Sequence, residues 1–313
     1  MNNPLISVVM SVYNAEDYLH EAIKSVLDQS FKSFEFIISN NGSTDSTKDI
    51  INYYCDQDNR IILFDHKDLG FSKSLNQAIE IANTNLIARI DADDVMEVNR
   101  LERQYNFLEN NKNISVTSCL ANYINNSGDI IGKTFSDLNS ISVNIEYFEK
   151  NEPIGILHPG AMYYKNLFQE VGGYREEFAP AEDIDLWNRF NDYGYWVVVQ
   201  QEILMNYRMI PNSEIGKNFK KSRLKYEWLR ECMRLRRDGK KEIDLHSFIA
   251  FQERLPLLTK INKHRKLQAK YYYRTAGIDY GARNILPFLI KIFLAIILQP
   301  SYSIDKLINQ RKK

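Results

Sequence analysis

Short apolar runs alternate with helix-forming segments through the first ninety residues, and this alternation constrains the fold more than any other feature. The apolar runs are residues 5–12, 34–39, 61–64 and 86–90. A strand that is apolar throughout is typical of a parallel sheet buried on both faces. The segments between the runs place apolar residues at helical spacing, as at Leu75, Ile79 and Ala82. The order predicts consecutive βαβ units and an α/β fold, a mostly parallel sheet flanked by helices.

Polar residues after the first two runs predict where helices begin. Asn14 is expected to cap the first helix, with Asp17 at its third position. The second run ends in the sequence Asn-Asn-Gly-Ser at residues 40–43, and the next helix is expected from about residue 44 to residue 55.

Composition narrows the class of protein. Of the 313 residues, 44% are hydrophobic and 26% are charged, which fits a globular chain and argues against disordered, collagen-like or repeat proteins. The three cysteines are too few and too widely spaced for a disulfide framework, so a reducing compartment is indicated. The first residues carry no signal-peptide pattern, and we expect a cytoplasmic protein.

Charge divides the chain into two regions. The formal net charge is zero, but residues 1–216 contain 16 Lys and Arg against 32 Asp and Glu, whereas residues 217–313 contain 24 against 8. We therefore predict an acidic domain over 1–216 and a basic extension over 217–313. Such a basic region suits an anionic partner, either nucleic acid or a membrane surface, although it can also be simply a solvated helical face.

The ends of the predicted strands indicate what the sheet can bind. Open parallel sheets bind ligands at the carboxyl ends of their strands. The first such turn, at residues 11–14, has no glycine. Dinucleotide-binding and P-loop proteins both need a glycine-rich turn there, so neither class is favoured.

An acidic cluster follows the fourth run. Asp91, Asp93 and Asp94 crowd three carboxylates into four residues, and a divalent cation would neutralise their mutual repulsion. Hard oxygen ligands favour Mg²⁺ or Mn²⁺ and leave positions open for substrate phosphates. The alternative is a solvated turn, since aspartate is common in turns.

Six motifs in order resemble family 2 glycosyltransferases. They lie at residues 7–14, 40–45, 91–94, 158–160, 172–174 and 181–187, and the resemblance extends over about residues 4–213. It implies a GT-A catalytic domain, a nucleoside diphosphate sugar as donor, a divalent cation (Mn²⁺ or Mg²⁺), and inversion at the anomeric carbon.

The resemblance also implies roles for individual residues. It places the nucleotide near Ser11, Tyr13, Asn41 and Lys73, assigns Asp91 and Asp93 to ribose and metal, and lets Asp94 share the metal. On the residues alone, Tyr13 can equally be a ring packed at a strand end. Lys73 can be an ordinary exposed helix residue.

A second acidic group opens a later predicted helix. Glu182 and Asp183 occupy its first turn, where the helix dipole favours carboxylates in any protein. By resemblance, Asp183 is the general base and Glu182 binds the acceptor. The motifs at His158 and Gly173 are assigned to the acceptor site in the same way, although a lone histidine is often structural.

Two departures from the family pattern concern the donor. Relatives often have an aspartate at one of the positions occupied here by Asn40 and Asn41, and an asparagine can still pair with a base. Ile210 stands where relatives often have a histidine beside the metal. Arg208 can contact the diphosphate instead, or it can be a structural arginine paired on the sheet edge.

The basic region predicts helices at about 219–237, 245–258, 264–276 and 285–298. Twelve of the fourteen residues in the last segment are apolar, but a bilayer-spanning helix needs about 20. With the basic residues around it, the segment 283–313 suits a peripheral membrane contact. A core helix or a dimer contact is the alternative, and nucleic acid is disfavoured because no recognised binding motif is present.

Together these features predict a non-processive glycosyltransferase at the inner face of the cell membrane. It would add one sugar to a glycan or lipid-linked precursor of capsule, lipopolysaccharide or another exopolysaccharide, since no QxxRW-like sequence or transmembrane bundle follows the predicted catalytic region. An inactive family member that serves as a scaffold is the alternative. A nucleotidyltransferase is disfavoured because the first turn has no glycine.

Overall fold

The computed structural model describes residues 3–67, 69–209, 219–281 and 284–301. Its chain divides into two compact units, one formed by residues 1–124 and 132–208 and the other by residues 125–131 and 209–313. The predicted boundary at Gly216 lies outside the described residues, so it stays a prediction.

The four predicted apolar runs form four neighbouring parallel strands of the first unit. They are β1 (Ile6–Val12), β2 (Phe34–Asn41), β3 (Ile61–His66) and β4 (Leu86–Arg89), paired in the order β3-β2-β1-β4. Each connection carries a helix: α1 (Leu19–Leu27), α2 (Thr47–Gln57) and α3 (Phe71–Glu80). The predicted α/β fold with its βαβ units is confirmed.

The sheet continues beyond β4 with strands of mixed direction. The further strands are β5 (Val95–Met96), β6 (Ile114–Ile124), β7 (Ile130–Lys133), β8 (Met162–Tyr164) and β9 (Trp196–Arg208). Within the described residues the strand order is β3-β2-β1-β4-β8-β6-β9-β5, with β7 paired to β6. Because β8 is antiparallel to both β4 and β6, and β9 is parallel to β6, the strands β6 and β9 share the direction of β1, whereas β8 and β5 run opposite to it.

Helices cover both faces of this sheet, which explains why its first strands are buried and largely apolar on both faces. Alternate residues of β1 point to opposite faces: Val8 and Met10 belong to one buried cluster, and Val9 belongs to the other. The remaining elements of this unit are the helices α4 (Arg100–Asn110), α5 (Ile141–Glu149), α6 (Lys165–Glu170) and α7 (Glu182–Asp192), and the 3₁₀ turns η1 (His158–Gly160) and η2 (Glu176–Phe178).

The predicted cap of the first helix is wrong. α1 begins at Leu19, and the preceding Tyr18 makes no side-chain cap. Asn14 instead has a positive φ of 48°, and its Oδ1 accepts the backbone N–H of Thr44 at 2.8 Å. A bond to a residue thirty positions away therefore replaced the local cap. α2 begins at Thr47, three residues later than expected.

The second unit is helical, as predicted. Its helices are α8 (Phe219–Arg237), α9 (Leu245–Glu253), α10 (Leu257–Gly281) and α11 (Ile285–Leu298). α9 is shorter and α10 longer than the sequence pattern indicated. In α8, the Trp228 indole N–H donates to the carbonyl of Ile243 at 2.7 Å, and α10 packs along α11. Across the described residues, every helix is too short or too polar to cross a membrane.

Candidate active site

Polar side chains gather at the carboxyl edge of the parallel strands. The strand register places Val12 beside Asn40 and Asn41 beside His66. Asp91 follows β4 at the same edge, because β4 runs parallel to β1. The sheet therefore brings the predicted nucleotide residues and the predicted metal residues to one edge, as expected for an open parallel sheet.

The three aspartates after β4 converge. One carboxylate oxygen from each of Asp91, Asp93 and Asp94 lies within 4.8 Å of the others. Burial, followed by the charge of Asp91, raises the pKa of Asp93 to about 6. Burial also raises the pKa of Asp94 well above its ordinary value, and the charges of Asp93 and Asp91 add to this effect.

This cluster fits a divalent cation. Asp94 is fully buried, and its Oδ1 accepts the backbone N–H of Arg208 at 2.8 Å. Its Oδ2 is also buried but has no hydrogen-bond partner. A buried carboxylate oxygen without a donor is unfavourable unless a cation or water satisfies it. The all-oxygen ligand set suits Mg²⁺ or Mn²⁺.

Arg89 is a site residue that the sequence reasoning missed. Its side chain is 1% exposed, and its Nη2 lies 2.5 Å from Oδ1 of Asp91. Burial alone would lower the pKa of this guanidinium, but the ion pair with Asp91 raises it above its ordinary value. An arginine among the apolar residues of a buried strand was the available signal, because charged side chains are rarely buried unless paired.

The second acidic group lies where the sequence predicted it, in the first turn of α7. Burial raises the pKa of Glu182 to about 7, and the charge of Asp183 contributes. Burial likewise raises the pKa of Asp183 to about 6. The charge of Asp91 adds to both shifts, so the two acidic groups lie within electrostatic range of each other. Carboxyl groups with such pKa values suit acid–base chemistry near neutral pH.

A buried ion network fixes the start of α7. Asp185 is fully buried and accepts hydrogen bonds from Nε of Arg175 and Nε of Arg189, both at 2.9 Å. Arg189 also donates to the carbonyls of Val171 and Gly173. These contacts tie the segment before α7 to the helix itself, so they fix the position of Asp183.

The two acceptor-site residues predicted by resemblance are packed into this region. His158 Nε2 lies 2.7 Å from the hydroxyl of Tyr174. Burial lowers the pKa of His158 well below its ordinary value, and the charge of Arg89 adds to this effect. Gly173 is buried with a φ of +63°, and an added Cβ would lie 3.1 Å from Oδ1 of Asn76. Both residues have structural contacts, and their acceptor-binding roles stay predictions.

Two of the predicted nucleotide residues remain available for a ligand. Tyr13 is 60% exposed. Asn41 is buried, with 8% of its surface exposed, and its Oδ1 accepts the backbone N–H of Leu69 at 2.8 Å. Since an N–H needs an oxygen acceptor, this contact fixes the orientation of the amide and directs the Asn41 NH₂ group away from Leu69.

The other predicted nucleotide residues are held by neighbouring side chains. The Ser11 hydroxyl lies 2.7 Å from that of Ser74. Lys73 is half exposed and forms an ion pair with Glu176 at 2.9 Å. Asn40, the first of the two departures, donates to Asp65 at 2.7 Å and accepts the backbone N–H of Ser43. Asn40 therefore braces the loop after β2.

Arg208 is engaged with the aspartate loop. Its Nε donates to the carbonyl of Asp93 at 2.9 Å, and its Nη2 lies 2.5 Å from Glu21. Its guanidinium stacks over the ring of Tyr18 at 4.5 Å. Of the two possibilities for this residue, these contacts favour the structural one. Ile210 lies outside the described residues.

Comparison with known proteins identifies the family. The model of glycosyl transferase family 2 matches residues 7–172. The chain belongs to this family. An uncharacterized glycosyltransferase of Methanocaldococcus jannaschii is 34% identical over 68% of the chain and 73% of its own length. A putative teichuronic acid biosynthesis glycosyltransferase of Bacillus subtilis, TuaG, is 29% identical over 74% of the chain and 90% of its own length. The predicted family is confirmed.

Solved structures share the fold of this family 2 chain. S. aureus TarS 1–349 in complex with UDP superposes with a TM-score of 0.57 at 16% identity, covering 95% of this chain and 92% of that TarS fragment. A mannosyltransferase from Pyrobaculum calidifontis, solved with GDP-Man and Mn²⁺, gives a TM-score of 0.57 at 16% identity, covering 92% of this chain and 88% of its own. The predicted GT-A fold is confirmed.

Proposed function

We propose that the protein transfers one sugar, with inversion at the anomeric carbon, from a UDP-sugar to a hydroxyl group of a cell-surface glycan precursor. The observation that carries this proposal is the presence of two acidic groups, the converging cluster Asp91, Asp93 and Asp94 and the pair Glu182 and Asp183, whose raised pKa values include an effect of the Asp91 charge. One group can serve the leaving diphosphate while the other serves the acceptor. The names of the relatives, which include teichuronic acid and O-antigen biosynthesis glycosyltransferases, support this class of acceptor.

Asp183 is the proposed general base. With a pKa of about 6, it is ionised near neutral pH and can take the proton from the acceptor hydroxyl. The hydroxyl oxygen then bonds to the anomeric carbon, while the bond from that carbon to the phosphate oxygen breaks and UDP leaves with the electron pair. Glu182 is proposed to orient the acceptor beside this base.

The three aspartates are the proposed ligands of Mn²⁺ or Mg²⁺. When bound, the ion neutralises negative charge on the departing diphosphate. Arg89 forms an ion pair with Asp91. Arg208 holds the aspartate loop at residues 91–94, because it donates hydrogen bonds to the Asp93 carbonyl and to the Asp94 carboxylate. We therefore assign Arg208 to positioning of this loop. Lys73 pairs with Glu176 and takes no part in our proposed donor site.

The nucleoside is proposed to lie over Ser11, Tyr13 and Asn41. Because Oδ1 of Asn41 is used by Leu69, this side chain offers a hydrogen-bond donor to the base. A donor suits a carbonyl oxygen of uracil. The substitution of asparagine for aspartate is therefore compatible with nucleotide binding.

A panel of nucleotide sugars should identify the donor. We expect a UDP-sugar with Mn²⁺, at about 100 times its Kd, to raise the melting temperature by roughly 5 °C or more, because binding to the folded state alone stabilises it by about 2.7 kcal/mol at that concentration. Differential scanning fluorimetry with UDP, GDP, TDP and CMP sugars measures this effect. If none of them shifts the melting temperature, the proposed donor class is wrong.

Residues 283–313 are proposed to attach the protein to an anionic membrane surface. In α11, the large apolar side chains Leu286, Ile290 and Phe293 are all more than half exposed and lie on one face. The charged residue of this helix, Lys291, lies on the opposite face and pairs with Asp279 at 2.5 Å. The apolar face suits the headgroup boundary of a bilayer, and the excess of Lys and Arg in this region suits anionic lipid. The basic residues at 283, 306 and 311–313 lie outside the described residues.

Attachment should depend on both the apolar face and the charge. We expect the protein to sediment with vesicles that contain anionic lipid, to bind neutral vesicles poorly, and to dissociate as salt increases, since screening shortens the range of the attraction. The variant Leu286→Glu/Phe293→Glu should lose most of this binding, whereas Tyr53→Glu, an exposed site in α2, should not. Retained vesicle binding by the double variant would contradict the proposal. A change in its oligomeric state would indicate a dimer contact.

A further inference from the structure

Phe71 presents an aromatic ring to solvent in the candidate site. It is the first residue of α3, at the carboxyl edge of the sheet, and it is 38% exposed. The guanidinium carbon of Arg89 lies 5.3 Å from the centre of its ring. The ring of His158 meets it edge-on, with centroids 6.2 Å apart. Because Arg89 is buried, the exposed part of the ring faces away from that contact.

The position of this ring is what makes it notable, since single exposed apolar residues are normal on protein surfaces. On one side, Arg89 connects Phe71 to the aspartate cluster through its 2.5 Å contact with Asp91. On the other side, the first turn of α3 is linked to η2 by the ion pair between Lys73 and Glu176. Residues 179–181 connect η2 to Glu182 and Asp183. Phe71 therefore contacts the arginine that pairs with a proposed metal ligand, and its helix is tied to the segment that precedes the proposed base.

We propose that the exposed face of Phe71 is a platform for the ring of the transferred sugar, an inference that rests on the function proposed above. A sugar ring has hydroxyl groups at its rim and C–H groups on its faces. Its recognition therefore needs an apolar surface surrounded by polar groups. Phe71 supplies the apolar surface, and the neighbouring Arg89, with its partner Asp91, and His158 supply the polar surroundings. The contacts with Arg89 and His158 hold the ring in place, so little conformational entropy is lost on binding.

Comparing nucleotide with nucleotide sugar isolates this contact. The probes are UDP and UDP-GlcNAc, or GDP and GDP-mannose if that pair stabilises the wild-type protein more, titrated calorimetrically with Mn²⁺. We expect Phe71→Ala to weaken the binding of the nucleotide sugar by about fivefold or more, the effect expected for the loss of one aromatic contact. The affinity for the free nucleotide should change by less than about twofold, because the free nucleotide lacks the sugar ring. Phe71→Tyr, which keeps the ring, should restore the affinity, and Tyr53→Ala should have no effect.

The outcomes separate this inference from the function on which it rests. If Phe71→Ala weakens the binding of nucleotide and nucleotide sugar equally, or weakens neither, the proposed sugar platform is wrong, whereas the proposed function is unaffected. Failure of the wild-type protein to bind any of these compounds would overturn both proposals. The melting temperature of each variant checks that a change in affinity does not reflect unfolding.

Discussion

Replacing Asp183 with asparagine should reduce the rate of sugar transfer by about 10²–10⁴-fold, the usual contribution of general-base catalysis. Asparagine has nearly the shape of aspartate but cannot accept the proton of the acceptor hydroxyl. The network of Arg175, Asp185 and Arg189 that fixes the start of α7 does not involve the Asp183 side chain. Donor affinity and melting temperature should therefore change little. Steady-state kinetics, calorimetry and thermal melting of the same preparation test these expectations.

Asp49→Asn is the matched control. Asp49 is an exposed carboxylate in the first turn of α2, so its replacement also removes a negative charge from a helix N-terminus. It should leave transfer unchanged. If Asp183→Asn transfers sugar at a rate within a few-fold of the wild-type rate, the general base is a different residue. If the wild-type protein binds donor and membrane but transfers no sugar to any acceptor, the scaffold alternative gains support.

The pH dependence of transfer provides a second test of the same base. The pKa of Asp183 is raised to about 6 by burial, and a general base works only when ionised. The rate should fall as the pH decreases through about 6, and the residual activity of Asp183→Asn should not follow this dependence. A wild-type rate that stays constant down to pH 5, within about a factor of two, would argue against a buried carboxylate as the base.

Removal of one aspartate should abolish the effect of metal on nucleotide binding. Among the described residues, the carboxylate of Asp93 neither pairs with a cationic side chain nor accepts a hydrogen bond from another residue, whereas Asp91 pairs with Arg89 and Asp94 accepts the backbone N–H of Arg208. It is therefore the freest to bind a cation. We expect Mn²⁺ to tighten UDP binding to the wild-type protein by on the order of tenfold or more, because it offsets the repulsion between diphosphate and carboxylates. In Asp93→Asn this difference should disappear.

Asp56→Asn controls for the loss of a single negative charge, because Asp56 is exposed in α2. Calorimetric titrations with UDP, in EDTA and in Mn²⁺, should show that Mn²⁺ tightens UDP binding to Asp56→Asn as much as it does for the wild-type protein. Equal affinity of the wild-type protein for UDP with and without metal would remove the proposed metal site. In that case the buried Oδ2 of Asp94, which lacks a partner in the described structure, would need another explanation.

The sequence alone determined the first half of the sheet and the location of both acidic groups. Both depend on local patterns. A strand such as Ile6–Val12 must be apolar on both faces because helices cover both sides of the sheet, and that requirement is visible in seven consecutive residues. The aspartates at 91–94 and the pair at 182–183 are likewise neighbours in sequence. Their chemistry could be inferred without knowing what surrounds them.

Only the tertiary structure decided which polar side chains are free and which are already paired. Asn14 was expected to cap α1, but it binds a residue thirty positions away. Arg208 N–H and Asp94 are 114 residues apart, and Asn76 and Tyr174 are 98 apart, so no local pattern could connect them. Arg89 and Phe71 became candidates for the same reason, since their significance depends on the groups that folding places beside them. Hydrophobic periodicity is a local property of the sequence, whereas the partner of a buried polar group depends on how distant segments pack together.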